Sequence, residues 1–265
     1  MGMRTQPQKI LITGCRGGIG LNAAIRLAAR GHEIIATVHR EASIATVQKA
    51  ADNAGVAIKV EKLDILDPVD RQKAVAHNVD VLINNAAIGE TGPLAEVPVE
   101  RVRANHETNV IATLQITQEV IKPMIKRRSG KVIFVGSLGG RLSMPYMGPY
   151  IMTKFALEAA VDALRIELRP FRVRTCIIEP GAYATGFNEA MHAKKYEWLG
   201  EDSAYRHKAK LLKFFELGNI RLQGKNTDNI ARQIVRAVEA RRPKARYSAP
   251  WWQALGVRVL RVFGK

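Results

Sequence analysis

Short apolar runs alternate with stretches of helical periodicity along most of the chain. Runs rich in Val, Ile and Leu predict buried strands, and they occupy residues 9–13, 33–38, 56–63, 79–84, 131–135 and 173–178. Between them, apolar residues recur at helical spacing, most clearly at 19–30, 102–128 and 151–168. Near-continuous apolar strands that alternate with helices are typical of a parallel sheet covered on both faces. The pattern therefore predicts an α/β fold with a doubly wound parallel sheet, in which residues 1–265 form a single domain.

Residues 181–226 form the least regular stretch and are rich in Lys, aromatics and helix formers. They follow the last predicted strand, at the edge where a doubly wound sheet places its ligand-facing segments. We therefore expect 181–226 to be the substrate-binding segment.

The tail at 250–265 has the pattern of an amphipathic helix, and Pro250 can open it at its first turn. On a helix, one side would carry the apolar residues Trp251, Trp252, Leu255, Val259, Val262 and Phe263, and a separate side Arg258, Arg261 and Lys265. Such a helix fits a membrane interface, with tryptophans at headgroup depth and cations facing anionic lipid. It would equally cover a substrate pocket or pack on a neighbouring subunit.

The formal net charge is +17, and 194–265 alone hold 17 Lys and Arg against 6 Asp and Glu. Such an excess attracts nucleic acid, anionic lipid or an acidic substrate, or simply keeps a surface solvated. Because no groove-reading element accompanies the charge, we expect no nucleic-acid partner.

The two cysteines, Cys15 and Cys176, lack metal-ligand spacing and are too few for a disulfide framework. We therefore expect no metal site and a reducing, cytoplasmic location, or a peripheral one at a membrane surface. We recognise no secretory signal, and no apolar run approaches the roughly 20 residues that a membrane span needs.

A glycine-rich turn, Thr13–Gly20 with the sequence TGCRGGIG, joins the first predicted strand to the first helix. Glycine permits a tight turn and lets a phosphate approach the backbone, and the helix that follows offers free N–H groups and a positive dipole end. The candidate phosphate-binding residues are Gly14, Gly18, Ile19 and Gly20. A simple turn is the alternative, since the motif alone is weakly specific.

Further motifs follow in chain order, each near the end of a predicted strand or on a helix. They are Asn84-Asn85-Ala86-Ala87, Ser137, Tyr150 with Lys154, and Pro180-Gly181 with Thr185. With these motifs, residues 9–185 resemble the short-chain dehydrogenase/reductase family, although Ala87 stands where the family usually has glycine. The resemblance implies a Rossmann fold, hydride transfer between a nicotinamide and a carbonyl or alcohol, and a homodimer or homotetramer. It also implies that Asn85, Ala86, Ala87, Pro180, Gly181 and Thr185 contact the cofactor.

Tyr150 and Lys154 are spaced so that a helix would place both on one face. A free phenol has a pKa near 10, too high for an efficient base at neutral pH, and a neighbouring ammonium would lower it. Lys154 is expected to do this and to hold the ribose hydroxyls, while Ser137 would bond the substrate oxygen. By resemblance, Asn109 holds a water in the proton relay to Lys154.

The end of the second strand reads Val38-His39-Arg40 and carries no carboxylate to bond the ribose hydroxyls of NAD. Arg40, or Arg16 within the glycine turn, would hold the 2′-phosphate of NADP through forked hydrogen bonds. We therefore predict NADP (NADPH) as cofactor, with NAD as the alternative. Asp64-Ile65 resembles the family pair that holds the adenine, although Asp64 would serve equally as a helix cap.

Residues 88–98 and 134–140 resemble the hydroxysteroid and retinol dehydrogenase branch of the family. The expected pocket walls are mostly apolar, which suits a small hydrophobic ketone, aldehyde or alcohol; they are Leu138, Leu142, Met144, Tyr146, Met147, Tyr183, Phe187 and Met191. One alternative is a ketoacyl thioester on an acidic carrier that docks on the basic stretch 194–213. Another is a regulator that senses NADP without chemistry, although such relatives usually lose the tyrosine or lysine that this chain keeps.

Overall fold

A seven-stranded parallel sheet forms the centre of the computed structural model, which describes residues 6–193 and 201–263. The strand order is β3-β2-β1-β4-β5-β6-β7, so the order reverses next to β1 as in a doubly wound sheet. The strands are β1 Lys9–Ile12, β2 Glu33–Val38, β3 Lys59–Lys62, β4 Val81–Asn84, β5 Gly130–Val135, β6 Val173–Pro180 and β7 Arg246–Ala249. This confirms the predicted fold class and the predicted strands, several of which are shifted at their ends.

Helices cover both faces of this sheet. They are α1 Gly18–Ala28, α2 Ile44–Asn53, α3 Pro68–Ala76, α4 Val99–His106, α5 Thr113–Lys126, α6 Gly148–Glu167, α7 Phe187–Ala193, α8 Ala209–Arg221, α9 Asp228–Glu239 and α10 Trp251–Phe263. Within the described residues, no helix is both long enough and apolar enough to cross a bilayer.

The core consists of two layers, one on each face of the sheet, because successive strand residues point to opposite faces. Ile10 and Ile12 of β1 pack with Leu27 of α1 and Ile234 of α9 on one face. Leu11, between them, belongs to the other face, with Ile116 of α5 and Leu157 of α6 among its partners. Burial on both faces explains why the central strands read as continuous apolar runs.

The helix predicted at 102–128 is confirmed, since residues 99–126 are helical throughout, but its middle, residues 107–112, is π-helical rather than α-helical. A π-helical segment, Glu107–Ala112, separates α4 from α5. The turn is wider than in an α-helix, and the Thr113 hydroxyl donates at 3.2 Å to the carbonyl of Thr108, five residues earlier. Apolar spacing cannot reveal one inserted residue, and such segments frequently occur at functional sites.

The last strand, β7, was not predicted. Its sequence, Arg-Tyr-Ser-Ala, is short and half polar, and its burial alternates along the strand. It lies at the edge of the sheet, paired only with β6 among the described strands. An edge strand lacks the continuous apolar run by which the central strands were recognised.

Candidate active site

The glycine-rich turn takes its shape from two residues with left-handed backbone, Gly14 at φ +72° and Gly18 at φ +60°. A Cβ on Gly14 would lie 2.7 Å from the Cα of Ala86, and one on Gly18 would lie 3.0 Å from the Cβ of Thr185. A Cβ on Gly20 would lie 2.5 Å from the Asn85 amide nitrogen. These glycines therefore let three separate motifs pack against one another at the carboxyl edge of the sheet.

Asn85 holds the glycine turn in place. Its side-chain amide donates to the carbonyls of Thr13 and Gly14, both at 2.9 Å. The Thr13 hydroxyl in turn accepts from the backbone N–H groups of Asn85 and Ala86, both at 3.0 Å. Both N–H groups of the Asn85 amide are used within the protein, so this side chain has a structural role: it stabilises the glycine turn.

A cavity of about 1480 Å³ opens along this edge of the sheet. Most predicted cofactor residues line it: Gly14, Arg16, Gly18, Ile19, His39, Asp64, Ile65, Asn85, Ala86, Ala87, Tyr150, Lys154, Pro180, Gly181 and Thr185. All eight residues expected in the substrate walls line it as well. Its volume exceeds the ~300–1,000 Å³ of a typical small-ligand pocket, so a dinucleotide and a substrate fit together. The side-chain-free glycine cradle beside a helix N-terminus also fits a dinucleotide.

Gly20, Arg40 and Asn109 do not line the cavity, although they were predicted as site residues. Gly20 serves packing, as described above. Arg40 is exposed and precedes a 3₁₀ turn at Glu41–Ser43, where its carbonyl accepts from the Ser43 N–H at 3.0 Å.

Two hydroxyl residues, Ser43 and Thr46, line the cavity near His39 and were not predicted. The one feature of the sequence that could have predicted them as cofactor-binding residues is their position shortly after β2. Asp64 lines the cavity and accepts from the Leu66 N–H at 3.0 Å in a local turn. The cap of α3 is instead Asp67, which accepts from Val69, so the capping alternative for Asp64 was wrong.

Ser137, Tyr150 and Lys154 meet at the end of β5 and the start of α6. The side chain of Ser137 lies next to the Tyr150 hydroxyl, and the Gly139 N–H donates to the Ser137 oxygen at 3.0 Å. The Lys154 ammonium donates to the Val135 carbonyl at 3.0 Å and lies 5.6 Å from the centroid of the Tyr150 ring. Two hydroxyls and one ammonium thus converge on one end of the cavity.

The electrostatics of this group differ from the expectation. Burial raises the pKa of Tyr150 to about 12, and the neighbouring Ser137 hydroxyl opposes that rise. Burial also lowers the pKa of Lys154 to about 8, which the charge of Glu158 opposes. Lys154, whose ammonium donates to the Val135 carbonyl, is not among the groups that lower the Tyr150 pKa. In this structure the phenol is therefore protonated at neutral pH.

Asn109 lies in the π-helical segment and is buried. Its amide nitrogen donates to the Ile88 carbonyl at 2.8 Å and to the Thr153 hydroxyl at 3.1 Å, and its oxygen accepts from the Ile88 N–H at 2.9 Å. Both amide N–H groups are again used within the protein. The side chain connects the loop after β4 to α6, next to Lys154.

A buried ionic cluster behind Lys154 was also missed by the sequence reasoning. Glu179 of β6 is fully buried and lies 3.5 Å from both Arg141 and Arg246. Glu158 of α6 pairs with Arg246 at 2.9 Å. Burial, and then the charge of Glu179, raise the pKa of Glu158 to about 7. These charges are far apart in the sequence, and only the fold brings them together.

Comparison with known proteins agrees with this geometry. The profile of the short chain dehydrogenase family matches residues 8–196. The 3-ketodihydrosphingosine reductase of Bacteroides thetaiotaomicron is 33% identical over 205 residues, covering 75% of this chain and 72% of the relative. The human 17-beta-hydroxysteroid dehydrogenase type 1 is 30% identical over 254 residues, covering 90% of this chain and 76% of the relative.

Among solved structures, a short chain dehydrogenase/reductase from Burkholderia phymatum in complex with NAD superposes with a TM-score of 0.80. The alignment covers 97% of this chain and 94% of that one at 21% identity, which supports the shared fold. The matched profile and the relatives show that the chain belongs to the short-chain dehydrogenase/reductase family and is an NAD(P)-dependent oxidoreductase.

Proposed function

We propose that the protein interconverts a carbonyl and an alcohol on a hydrophobic substrate, with NADP(H) as its cofactor and Tyr150 as its acid and base. The convergence of the Ser137 and Tyr150 hydroxyls, in the lining of a largely apolar cavity, carries this proposal. That pair is suited to receive one polar oxygen of an otherwise apolar molecule.

Each residue of the catalytic group has a distinct proposed role. Tyr150, protonated at neutral pH because its pKa is about 12, donates its proton to the carbonyl oxygen during reduction. Ser137 bonds the same oxygen and stabilises the charge that develops there. Lys154 holds the ribose hydroxyls beside the phenol, and Asn109 fixes α6 through Thr153. A bound nicotinamide supplies or accepts the hydride.

The preference for NADP rests on the charge at the adenosine end of the cavity. Arg16, His39 and Ser43 line this part, and β2 ends without a carboxylate. Arg40 follows His39 directly in the chain and is exposed, although it does not line the cavity. Cations and hydroxyls suit a 2′-phosphate, whereas an acidic residue would favour the free hydroxyls of NAD. NAD is the alternative cofactor.

The proposed substrate class rests on the walls of the cavity, where Met144, Met147, Phe187 and Met191 contribute apolar surface. Two relatives are named for 3-ketodihydrosphingosine and for a 17-beta-hydroxysteroid, and both of these molecules are hydrophobic. We also propose that 181–226 form the substrate segment and that the chain assembles as a homodimer or homotetramer.

Two other functions remain as competing proposals. A ketoacyl thioester on an acidic carrier would dock on the stretch 194–213, of which residues 194–200 lie outside the described residues. A sensor would bind NADPH without consuming it, but Tyr150 and Lys154 would then have no reason to converge with Ser137.

The test is a panel of long-chain and short-chain ketones and a ketoacyl thioester, each incubated with NADPH. We expect NADPH consumption, followed by its absorbance, with the hydrophobic ketones. Binding of NADPH without consumption across the panel would support the sensor. Preference for the thioester would support the carrier-docking enzyme.

A further inference from the structure

The C-terminal helix α10 has two faces with different surroundings. Gln253, Gly256, Val257 and Leu260 lie on the face that lines the substrate cavity. The opposite face is apolar but exposed: Trp251 is 74% and Val262 is 73% accessible, and Leu255 and Val259 are also exposed. The sequence left open whether this helix covers the pocket or offers an apolar surface, and in the structure it does both.

Helix α8 also contributes both to the cavity and to exposed apolar surface. Leu212 and Gly218 line the cavity, whereas Leu211 and Leu217 are exposed. Leu222, just after the helix, lines the cavity and is itself half exposed. Gln253 connects α10 to the residues just after α8 and β6, because its amide donates to the Leu222 carbonyl at 2.8 Å and accepts from the Ala182 N–H at 2.9 Å. We call the exposed sides of α8 and α10 together the mouth surface.

Exposed cations accompany these apolar side chains. They are Lys210, Lys213 and Arg221 on α8, and Arg258 and Arg261 on α10. No Asp or Glu occurs between residues 240 and 265. Protein–protein interfaces are depleted of Lys at their centres, whereas interleaved apolar, tryptophan and cationic residues suit the headgroup region of an anionic bilayer.

We infer that the mouth surface docks on an anionic membrane and that the substrate is a long-chain lipid ketone that enters the cavity directly from the bilayer. The inference rests on the proposed function, because it names the substrate class and the partner of the same site. To reach the cavity through water, an apolar substrate would first have to leave the lipid, at a free-energy cost that grows with each CH₂ group exposed. Opening the cavity at the docking surface avoids that step.

The first experiment measures sedimentation of the full chain with vesicles at low salt. Vesicles of phosphatidylcholine with about one third phosphatidylserine should bind it, while pure phosphatidylcholine vesicles should bind it at least about tenfold more weakly. The variant Trp251→Gln/Val262→Gln should lose at least about tenfold in vesicle affinity. The control Val69→Gln/Ile166→Gln replaces side chains of similar exposure, 69% and 66%, on other surfaces and should bind like the parent.

The second experiment measures turnover of a short soluble ketone and of a long-chain ketone dissolved in the same vesicles. The Trp251→Gln/Val262→Gln variant should keep its rate on the soluble ketone and lose most of its rate on the vesicle-borne one. Neither residue lines the cavity, so a general loss of activity would contradict the inference.

A parent protein that ignores anionic vesicles would overturn the inference, as would a variant that binds them unchanged. If the variant instead shifts from oligomer to monomer in sedimentation velocity, the mouth surface is an interface between copies. If the parent binds vesicles but reduces no ketone at all, the proposed function fails while the docking surface stands.

Discussion

At the scale of single residues, much of the site is a scaffold for the few groups that we propose carry out the chemistry. Thr13, Asn85 and Asn109 use their hydrogen-bonding groups within the protein. Tyr150 and Lys154 have pKa values shifted by burial in opposite directions, each towards the neutral form. A nearby opposite charge favours the ionised form of a buried group, and the positive charge of an oxidised nicotinamide would favour the phenolate form of Tyr150.

The glycine turn offers a matched pair of substitutions. Gly14→Ala should abolish cofactor binding and reduce the free energy of unfolding by at least about 1 kcal/mol, because alanine is disfavoured at positive φ and its Cβ would meet the Ala86 backbone at 2.7 Å. Gly17→Ala should be tolerated, since its backbone is extended and nothing lies within 4 Å of its Cβ. Cofactor titration and urea unfolding check both. Equal behaviour of the two variants would refute this reading of the turn.

Cofactor choice is a second prediction at this scale. The variant Arg16→Ala/Arg40→Ala should bind NADPH roughly ten- to a hundredfold more weakly, which is the contribution of one or more charge-assisted hydrogen bonds. NADH affinity should change little, because NADH lacks the 2′-phosphate. Arg103→Ala, at an exposed position on α4, is the control for lost surface charge. Parallel losses for NADPH and NADH, measured by fluorescence titration, would show that neither arginine binds the 2′-phosphate.

At the scale of elements, the sequence predicted most reliably those strands and helices whose buried residues recur in a regular pattern. Central strands are buried on both faces, so each appears as an apolar run, and the turns that follow them carry motifs of recognisable spacing. The π-helical segment at Glu107–Ala112 and the half-polar strand β7 were missed. One inserted residue and an edge position each leave little trace in local periodicity.

The ionic cluster that joins α6, β6 and β7 leads to a prediction on pH. The pKa of Glu158 is raised from an ordinary 4.5 to about 7, so the folded state holds this proton more tightly than the unfolded state. Its stabilising contribution is therefore present below pH 4.5 and is lost as the pH rises through about 7. Glu158→Gln should remove this dependence.

Urea unfolding of the parent and of Glu158→Gln at pH 5 and pH 8 measures the effect. Between pH 5 and pH 8, the free energy of unfolding of the variant should rise by about 2 kcal/mol relative to that of the parent, after allowance for partial solvent screening. Loss of the bond to Arg246 lowers the free energy of unfolding of the variant at both pH values. Only the change in this free energy between pH 5 and pH 8 therefore reports the raised pKa of Glu158. A difference that stays constant with pH would contradict the raised pKa.

At the scale of the whole molecule, the carboxyl ends of parallel strands meet at one edge of the sheet. This is why motifs separated by more than a hundred residues, from Gly14 to Thr185, line one cavity. Their order along the chain was sufficient to predict the site, since a doubly wound sheet collects such turns at the same edge. The side-chain partners of Asn85 and Asn109, and the buried position of Glu179, could not be predicted, because they depend on the final packing.

The most direct test of the account is the rate of hydride transfer in Tyr150→Phe, followed as NADPH consumption in a single turnover with the best ketone of the panel. The account predicts a loss of at least about 10² to 10⁴, the contribution of general acid–base catalysis, with NADPH affinity nearly unchanged. Tyr205→Phe, which removes a phenol hydroxyl outside the cavity lining, should react at the parental rate. A Tyr150→Phe protein that transfers hydride at a near-parental rate would contradict the central assignment.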